Sequence, residues 1–178
     1  MKSFSLKVNL LLFTIGILGC KHPEPESYLI PEGFKGRVNI IFNQPNGASP
    51  LYDHGRRLYR VPASGILMTR FNDEYGFVNH QYYYADVNGN EKILPIFRHT
   101  FNKDGTIKWI IKNRFEVGIF LDGTSGEYGP QNIKYQEFIV SDSASLNSFF
   151  TPQYRNDFTN LLQKTLRTNF NVDTISSK

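Results

Sequence analysis

The sequence predicts a mostly β domain with one C-terminal helix, an α+β fold built around an antiparallel, sandwich-like sheet. Three observations predict it. The chain is rich in aromatic residues, with 15 Phe and 10 Tyr among 178 residues, and these types favour half-buried strands. Gly and Pro recur between the apolar segments, as they do at the turns of β-rich domains. Near the C-terminus the apolar residues change to the spacing of a helix.

The N-terminal residues have the pattern of an export signal. Lys2 and Lys7 precede an apolar stretch, residues 8–18, that is too short to span a bilayer. Gly19 then stands directly before Cys20, the single cysteine of the chain. This order resembles the lipobox of bacterial lipoproteins, which implies cleavage before Cys20 and acylation of its thiol, with palmitate among the chains. An ordinary secretory signal with an incidental cysteine is the alternative.

The expected mature chain, residues 20–178, has the size of one domain. Loss of Lys2 and Lys7 lowers the formal charge of +4 by two, and the remaining positive charge is too small to indicate a surface that binds nucleic acid. Acylation of Cys20 leaves no thiol, so it excludes disulfides, thiolate metal sites and cysteine nucleophiles together. Two or more acyl chains hold a protein stably on a membrane, so the membrane is the expected partner of this residue.

Four segments are expected along the chain. Residues 1–19 are the cleaved signal, and residues 20–27 are the lipidated cysteine with a short polar tether that spans roughly 20 Å. Residues 28–142 form the β-rich domain. Residues 143–178 form a helical segment that packs on the sheet.

Alternating apolar residues divide the β-rich segment into strands. These strands are expected at 37–42, 57–61, 65–71, 77–86, 91–97, 106–121 and 133–140. Asn88-Gly89 is a strong hairpin signal between the fourth and fifth strands. Pro95 cannot donate to a ladder, so the fifth strand either ends there or lies at an edge. The Gly-rich residues 122–129 are expected to form a loop.

The C-terminal segment begins with a helix-start signal. Thr151 is a capping hydroxyl, and Pro152 suits the first helical position. Apolar residues from Tyr154 to Leu166 then follow at helical spacing, so an amphipathic helix is expected from near Pro152 to about Thr168.

Two resemblances bear on the fold. Residues 28–38, 61–67 and 74–77, with the later tyrosines at 82–84, resemble a bacterial domain family of unknown function that occurs on secreted proteins and lipoproteins. The resemblance covers residues 28–95 and implies export and one compact domain, with no assigned activity. The first four strands also resemble prealbumin-like sandwiches, which implies an adhesive or carbohydrate-adjacent module by analogy of fold.

Four residues are candidates for ligand binding. Arg56 and Arg60 lie on one face of their strand, and their planar donors suit an acidic glycan or a lipid phosphate. Tyr82 and Tyr84 share one face of a later strand, where exposed rings would stack on sugars. The structural alternatives are a solvated strand face for the arginines and cross-strand packing for the tyrosines.

No metal, cofactor or catalytic residue is assigned from the sequence. The alternating Asp86, Asn88 and Asn90 resemble a calcium loop, but Gly89 fits a hairpin turn and not the glycine position of an EF-hand. A catalytic triad built from His54 or His80 with a scattered Asp and Ser stays open, since no spacing selects one.

The sequence therefore predicts a lipid-anchored protein of the bacterial cell envelope that binds or scaffolds an envelope glycan or protein without catalysis. An envelope hydrolase or transferase is the alternative. A deep pocket holding His54 or His80 beside a carboxylate would favour the enzyme, and a flat aromatic or arginine-lined face would favour binding. Lys21 stands where an Asp is associated with inner-membrane retention in the lipoproteins that the chain resembles. It favours the outer membrane or cell surface, and the inner membrane and a periplasmic orientation stay open.

Overall fold

The computed structural model describes residues 23–74, 76–129 and 131–170. Cys20 and the predicted signal lie outside these residues. The strands are β1 Glu26–Pro31, β2 Gly36–Ile41, β3 Tyr52–Asp53, β4 Arg56–Arg60, β5 Ile66–Met68, β6 His80–Ala85, β7 Glu91–Leu94, β8 Arg98–Phe101, β9 Ile107–Ile110, β10 Gly118–Tyr128 and β11 Ile133–Ser141. A short 3-10 helix, Leu146–Phe150, precedes helix α1, Pro152–Phe170.

The described strands form two larger sheets and one separate hairpin. The first sheet has the order β3-β4-β1-β6-β7, the second has the order β10-β11-β2-β5, and β8 pairs with β9. The predicted class, mostly β with a C-terminal helix, is confirmed. The sheets are mixed and not antiparallel throughout, because β1 runs parallel to both β4 and β6, and β2 runs parallel to β5. The chain crosses between the two sheets after β1, β2, β4 and β5, and these crossings bring β4 and β6 back parallel to β1, and β5 back parallel to β2.

The inner faces of both sheets share one hydrophobic core. From the first sheet it takes Tyr28, Ile30, Tyr59, Tyr82, Tyr84 and Leu94, and from the second it takes Val38, Ile40, Ile119, Phe138 and Val140. The ring of Phe138 lies 5.2 Å from that of Tyr28 and 4.8 Å from that of Tyr82, between centroids. The two sheets are therefore packed face to face through aromatic contacts.

The hairpin predicted around Asn88-Gly89 is confirmed. Strands β6 and β7 are antiparallel, and the backbone N–H groups of Asn88 and Asn90 both donate to Asp86 Oδ1 at 2.8 Å. Asp86, the first residue of the calcium-like pattern, thus uses its carboxylate to close the turn. Strand β7 ends directly before Pro95 and lies at the sheet edge, as predicted.

The predicted strand at 106–121 is wrong. Strand β9 ends at Ile110, and β10 begins only at Gly118 and continues to Tyr128 through the segment predicted as a loop. Asn113 causes the break, because its side chain accepts the N–H of Phe115 at 3.0 Å and its carbonyl accepts the N–H of Glu116 at 3.1 Å. An asparagine that bonds its own backbone in this way makes a turn.

The predicted C-terminal helix is confirmed and covers the outer face of the second sheet. Thr151 Oγ1 accepts the N–H of Tyr154 at 3.3 Å, as expected of a cap. Leu162 is buried, and it packs with Phe158 and Leu166 on residues of β2 and β5. Within the described ranges, no helix combines the length and the apolar character needed to span a bilayer.

Candidate functional site

A buried glutamate lies at the start of β1 beside three tyrosines. Parallel pairing of β1 with β4 and β6 places Tyr28 level with Tyr59 and Tyr82, and the rings stack at 4.9 Å and 4.8 Å between centroids. Tyr28 and Tyr59 both donate hydrogen bonds to the carboxylate of Glu26, a residue that is 3% exposed. Burial, together with the charge of Glu26, raises the pKa of Tyr28 and of Tyr59. Both phenols therefore remain protonated donors.

His80, the first residue of β6, joins this carboxylate to a second one. Its Nδ1 lies 2.7 Å from Asp122 Oδ1, and its Nε2 lies 3.3 Å from Glu26 Oε2. Burial of the ring favours the neutral form, but the hydrogen bonds to Asp122 and Glu26 outweigh it and raise the pKa of His80 to about 9. Both ring nitrogens of this imidazolium face carboxylates. It has no free lone pair, so it cannot act as a general base in this state.

Asp122 reaches His80 because β10 is irregular at this point. The register between β10 and β11 shifts directly after Phe120, and Leu121 has a φ of 59°, which is uncommon for a residue with a side chain. A bulge of this kind re-aims the side chain that follows it. Asp122 thus faces the first sheet, where Tyr82 donates a hydrogen bond of 2.6 Å to its Oδ1. Burial opposes its ionisation, but the hydrogen bonds from His80 and Tyr82 lower the pKa of Asp122.

A pocket of about 230 Å³ lies beside this cluster. Glu26, Ser125 and Gln136 line it, and the side-chain amide of Gln136 also lies 3.0 Å from the hydroxyl oxygen of Tyr28. Three further carboxylates line it, those of Asp73, Glu74 and Glu127. Their polar partners are Asn43, Arg57 and Lys134 respectively. Among the described residues, no group of three or more His, Cys, Asp or Glu side chains is arranged to hold a metal ion.

The two arginines predicted to bind an anion have separate environments. Arg56 donates hydrogen bonds within the protein. Its Nε donates to Ser27 Oγ at 2.7 Å, and its Nη2 donates to the carbonyl oxygens of Glu26 and Asn79 at 2.6 Å each. It thereby joins the beginnings of β1 and β6. Arg60 is exposed and lies four residues further along β4, about 13 Å away at the rise of a strand. The structure therefore does not bring the two guanidinium groups together as one site.

The two tyrosines predicted to stack on sugars lie in the core. Tyr82 is fully buried and Tyr84 is 9% exposed. Their hydroxyl groups donate to Asp122 and to the carbonyl oxygen of Phe34, at 2.6 Å and 2.5 Å. The interpretation of these rings as an exposed platform is wrong, because the shared face of the strand is the inner one. Cross-strand packing, the alternative, accounts for both.

Arg57, which the sequence analysis did not select, fixes the predicted tether to the sheet. Its Nε lies 2.6 Å from Glu24 Oε2, and its Nη2 lies 2.7 Å from Glu74 Oε1. Glu74 in turn accepts the backbone N–H of Glu24 at 2.6 Å. The guanidinium lies over the ring of Phe71, 4.8 Å from its centroid. The chain is thus held to the fold from Glu24 onward, and the last residues of the predicted tether belong to the domain.

Comparison with known proteins found one protein of similar fold and one matching family. A crystallised candidate lipoprotein of Bacillus anthracis is similar to the chain, with a TM-score of 0.54 at 15% identity over 79% of this chain and 93% of the other. At that identity the similarity shows the fold alone. No curated protein matches the chain. A family profile described as being of unknown function matches residues 22–149, which confirms that the domain belongs to a family of unknown function. The chain belongs to this family of unknown function, DUF6843.

Proposed function

We propose that the chain is a lipid-anchored binding or scaffolding domain without catalysis, which Cys20 holds directly at the surface of a bacterial membrane. The observation that carries the proposal is the contact between Arg57 and Glu24. The fold holds the chain at Glu24, and three residues of the sequence, 21–23, separate this contact from Cys20. Three residues reach about 10 Å at full extension, half of what the whole predicted tether would span.

Two further observations support the anchor. The residues up to Cys20 resemble a lipobox, and the similar Bacillus anthracis protein is itself named a candidate lipoprotein. The expected location is the cell envelope, on the outer membrane or the cell surface. The expected ligand is an envelope glycan or protein, with Arg60 exposed on the sheet as one candidate contact.

One observation favours the alternative of an envelope hydrolase or transferase. His80 contacts Glu26, and Glu26 lines a pocket together with Ser125. The protonated ring between two carboxylates is, however, the wrong state for activating a hydroxyl nucleophile. His54, the other histidine considered, is exposed and pairs with its neighbour Asp53 at 2.9 Å. The geometry therefore supports binding better than catalysis.

The anchor is tested on the full chain expressed in a bacterium that is fed an alkyne analogue of palmitate. The wild-type chain should carry the label and sediment with membranes, whereas Cys20→Ser should carry no label. Lys21→Ser, which leaves the cysteine in place, is the matched control and should be labelled like the wild type. Equal labelling of the wild type and Cys20→Ser would show that Cys20 is not the acylated residue.

The orientation is tested by adding protease to intact cells. A domain on the cell surface should be degraded at once, whereas a periplasmic domain should be degraded only after the outer membrane is opened. We expect degradation on intact cells, and full protection there would place the domain in the periplasm.

A further inference from the structure

We propose that residues 98–116, the basic hairpin, dock on the anionic lipid surface of the membrane in which Cys20 is anchored. The segment comprises β8, β9 and the turn that follows them. The proposal depends on the proposed anchor for its geometry and goes beyond it by assigning the face of the domain that touches lipid.

The first support is the exposure of the basic hairpin. Trp109 and Ile111 are half-buried, and every other residue from 98 to 116 is exposed. Trp109 attaches the hairpin to the second sheet through the ring of Phe120, 4.8 Å away between centroids. Four large apolar side chains face solvent: Phe101 at 64% exposure, Ile107 at 46%, Ile110 at 61% and Phe115 at 70%. Phe101 and Ile107 are paired across the strands and form a contiguous exposed apolar pair, whereas Ile110, paired with Arg98, lies on the other face of the hairpin. Contiguous exposed apolar side chains mark a contact surface.

The second support is the charge of the same segment. It carries five basic side chains, those of Arg98, Lys103, Lys108, Lys112 and Arg114, and two acidic ones, those of Asp104 and Glu116. Arginine and lysine can lay their apolar stems along a lipid surface while their charged ends meet phosphate headgroups. Each basic residue close to an anionic membrane raises the ratio of docked to undocked protein about fivefold. Apolar side chains interleaved with basic ones suit a lipid interface better than a neutral protein partner.

The third support is the position of the hairpin base relative to the anchor. Glu26 at the start of β1 pairs with His80, and Leu94 at the end of β7 pairs with Tyr82. Tyr82 in turn pairs with Tyr28, so β7 ends level with the first residues of β1, and the chain then leaves this ladder, since Ile96 bridges Ile119 of β10. Since two strand spacings separate β7 from β1, the end of β7 lies about 10 Å from the first residues of β1, and residues 95–97 lead from it to the hairpin. A short link at that edge keeps the hairpin near the lipid.

The test uses the full-length lipidated protein reconstituted into vesicles. Phe101→Cys introduces a thiol on the hairpin for an environment-sensitive fluorophore. Val87→Cys is the matched control, because Val87 is also apolar and exposed but lies in the β6–β7 turn, at the opposite end of the sheet. Wild-type protein treated with the same fluorophore reports whether Cys20 is acylated, so a failure of the anchor is detected separately.

In vesicles containing phosphatidylglycerol, we expect the fluorophore at position 101 to shift to shorter wavelength and the one at position 87 to stay unchanged. Phosphatidylcholine vesicles should give a smaller shift. Lys103→Ser and Lys108→Ser should each lower the ratio of docked to undocked protein about fivefold, whereas Lys92→Ser, at the far end of β7, should not change it.

Three results would overturn the proposal. The first is the same fluorescence at positions 101 and 87 in anionic vesicles. The second is a shift that does not depend on lipid charge. The third is a shift at position 101 that disappears on dilution of the protein in the vesicles, which would assign the apolar surface to a second copy of the chain.

Discussion

Raising the pH should destabilise the domain through His80. In the folded chain the pKa of His80 is about 9, whereas the ordinary value of 6.5 applies when the chain is unfolded. Because the folded value is the higher one, the imidazolium contributes its full stability below about pH 6.5, and the contribution is lost as the pH rises through about 9. At about 1.4 kcal/mol per pKa unit, the loss in unfolding free energy amounts to about 3 kcal/mol.

Urea unfolding between about pH 6 and pH 10 measures the loss, and NMR of the imidazole C–H signals measures the pKa of His80. Asp122→Asn is the matched variant, because the amide keeps the shape of the side chain and removes the charge that lies 2.7 Å from Nδ1. Its His80 should titrate at lower pH, so the stability difference between the two proteins should shrink as the pH rises. A wild-type His80 that titrates near pH 6.5, or a difference that is constant with pH, would refute the reasoning.

Two further pairs of substitutions test the packing by urea unfolding. Leu162→Asp should lower the unfolding free energy by about 4 kcal/mol, because Leu162, on the buried face of the helix, is only 5% exposed. Leu161→Asp, at a position that is 39% exposed, should lower it by less than about 1 kcal/mol. An equal effect of the two would mean that the helix is not packed on the sheet. Gly65→Ala should cost more than Gly55→Ala. Both glycines have positive φ, of +76° and +74°. A β-carbon at Gly65 would lie 2.3 Å from the carbonyl oxygen of Arg37, whereas a β-carbon at Gly55 would have no heavy atom within 4 Å. Gly55→Ala should cost about 1 kcal/mol from backbone strain alone, and an equal cost at Gly65 would contradict the close approach.

The elements that the sequence predicted well are those with local signals. Asn88-Gly89 closes its hairpin through bonds within the turn, and Thr151 caps the helix that begins at Pro152. Alternation also finds strands, but it does not say which strands pair. It therefore could not show that β1 lies parallel between β4 and β6. At Asn113 the alternation of apolar residues gave a wrong prediction. The apolar pattern continues on both sides of Asn113, but the hydrogen bond from the N–H of Phe115 to the Asn113 side chain forms a turn that interrupts the strand.

The candidate site was harder to predict, because its groups come from distant parts of the chain. His80 and Asp122 are 42 positions apart and lie in different sheets. The bulge after Phe120 reverses the face on which Asp122 would otherwise lie, so counting alternate residues gives the wrong side. Arg57 did leave a signal: it alternates with Tyr59 and Val61 on the apolar face, where a charged residue requires a buried partner.

The buried charges have a consequence for the N-terminal end of the domain. Buried ion pairs add little stability over well-packed apolar side chains, but a buried charge that loses its partner is strongly destabilising. Glu26, His80 and Asp122 are all satisfied only when β1 and β6 are in register and β10 lies opposite them. We infer that the network disfavours other alignments of the two sheets at the edge where Glu24 is held. The edge at Glu24, from which the proposed anchor would extend, is therefore a fixed end of the fold.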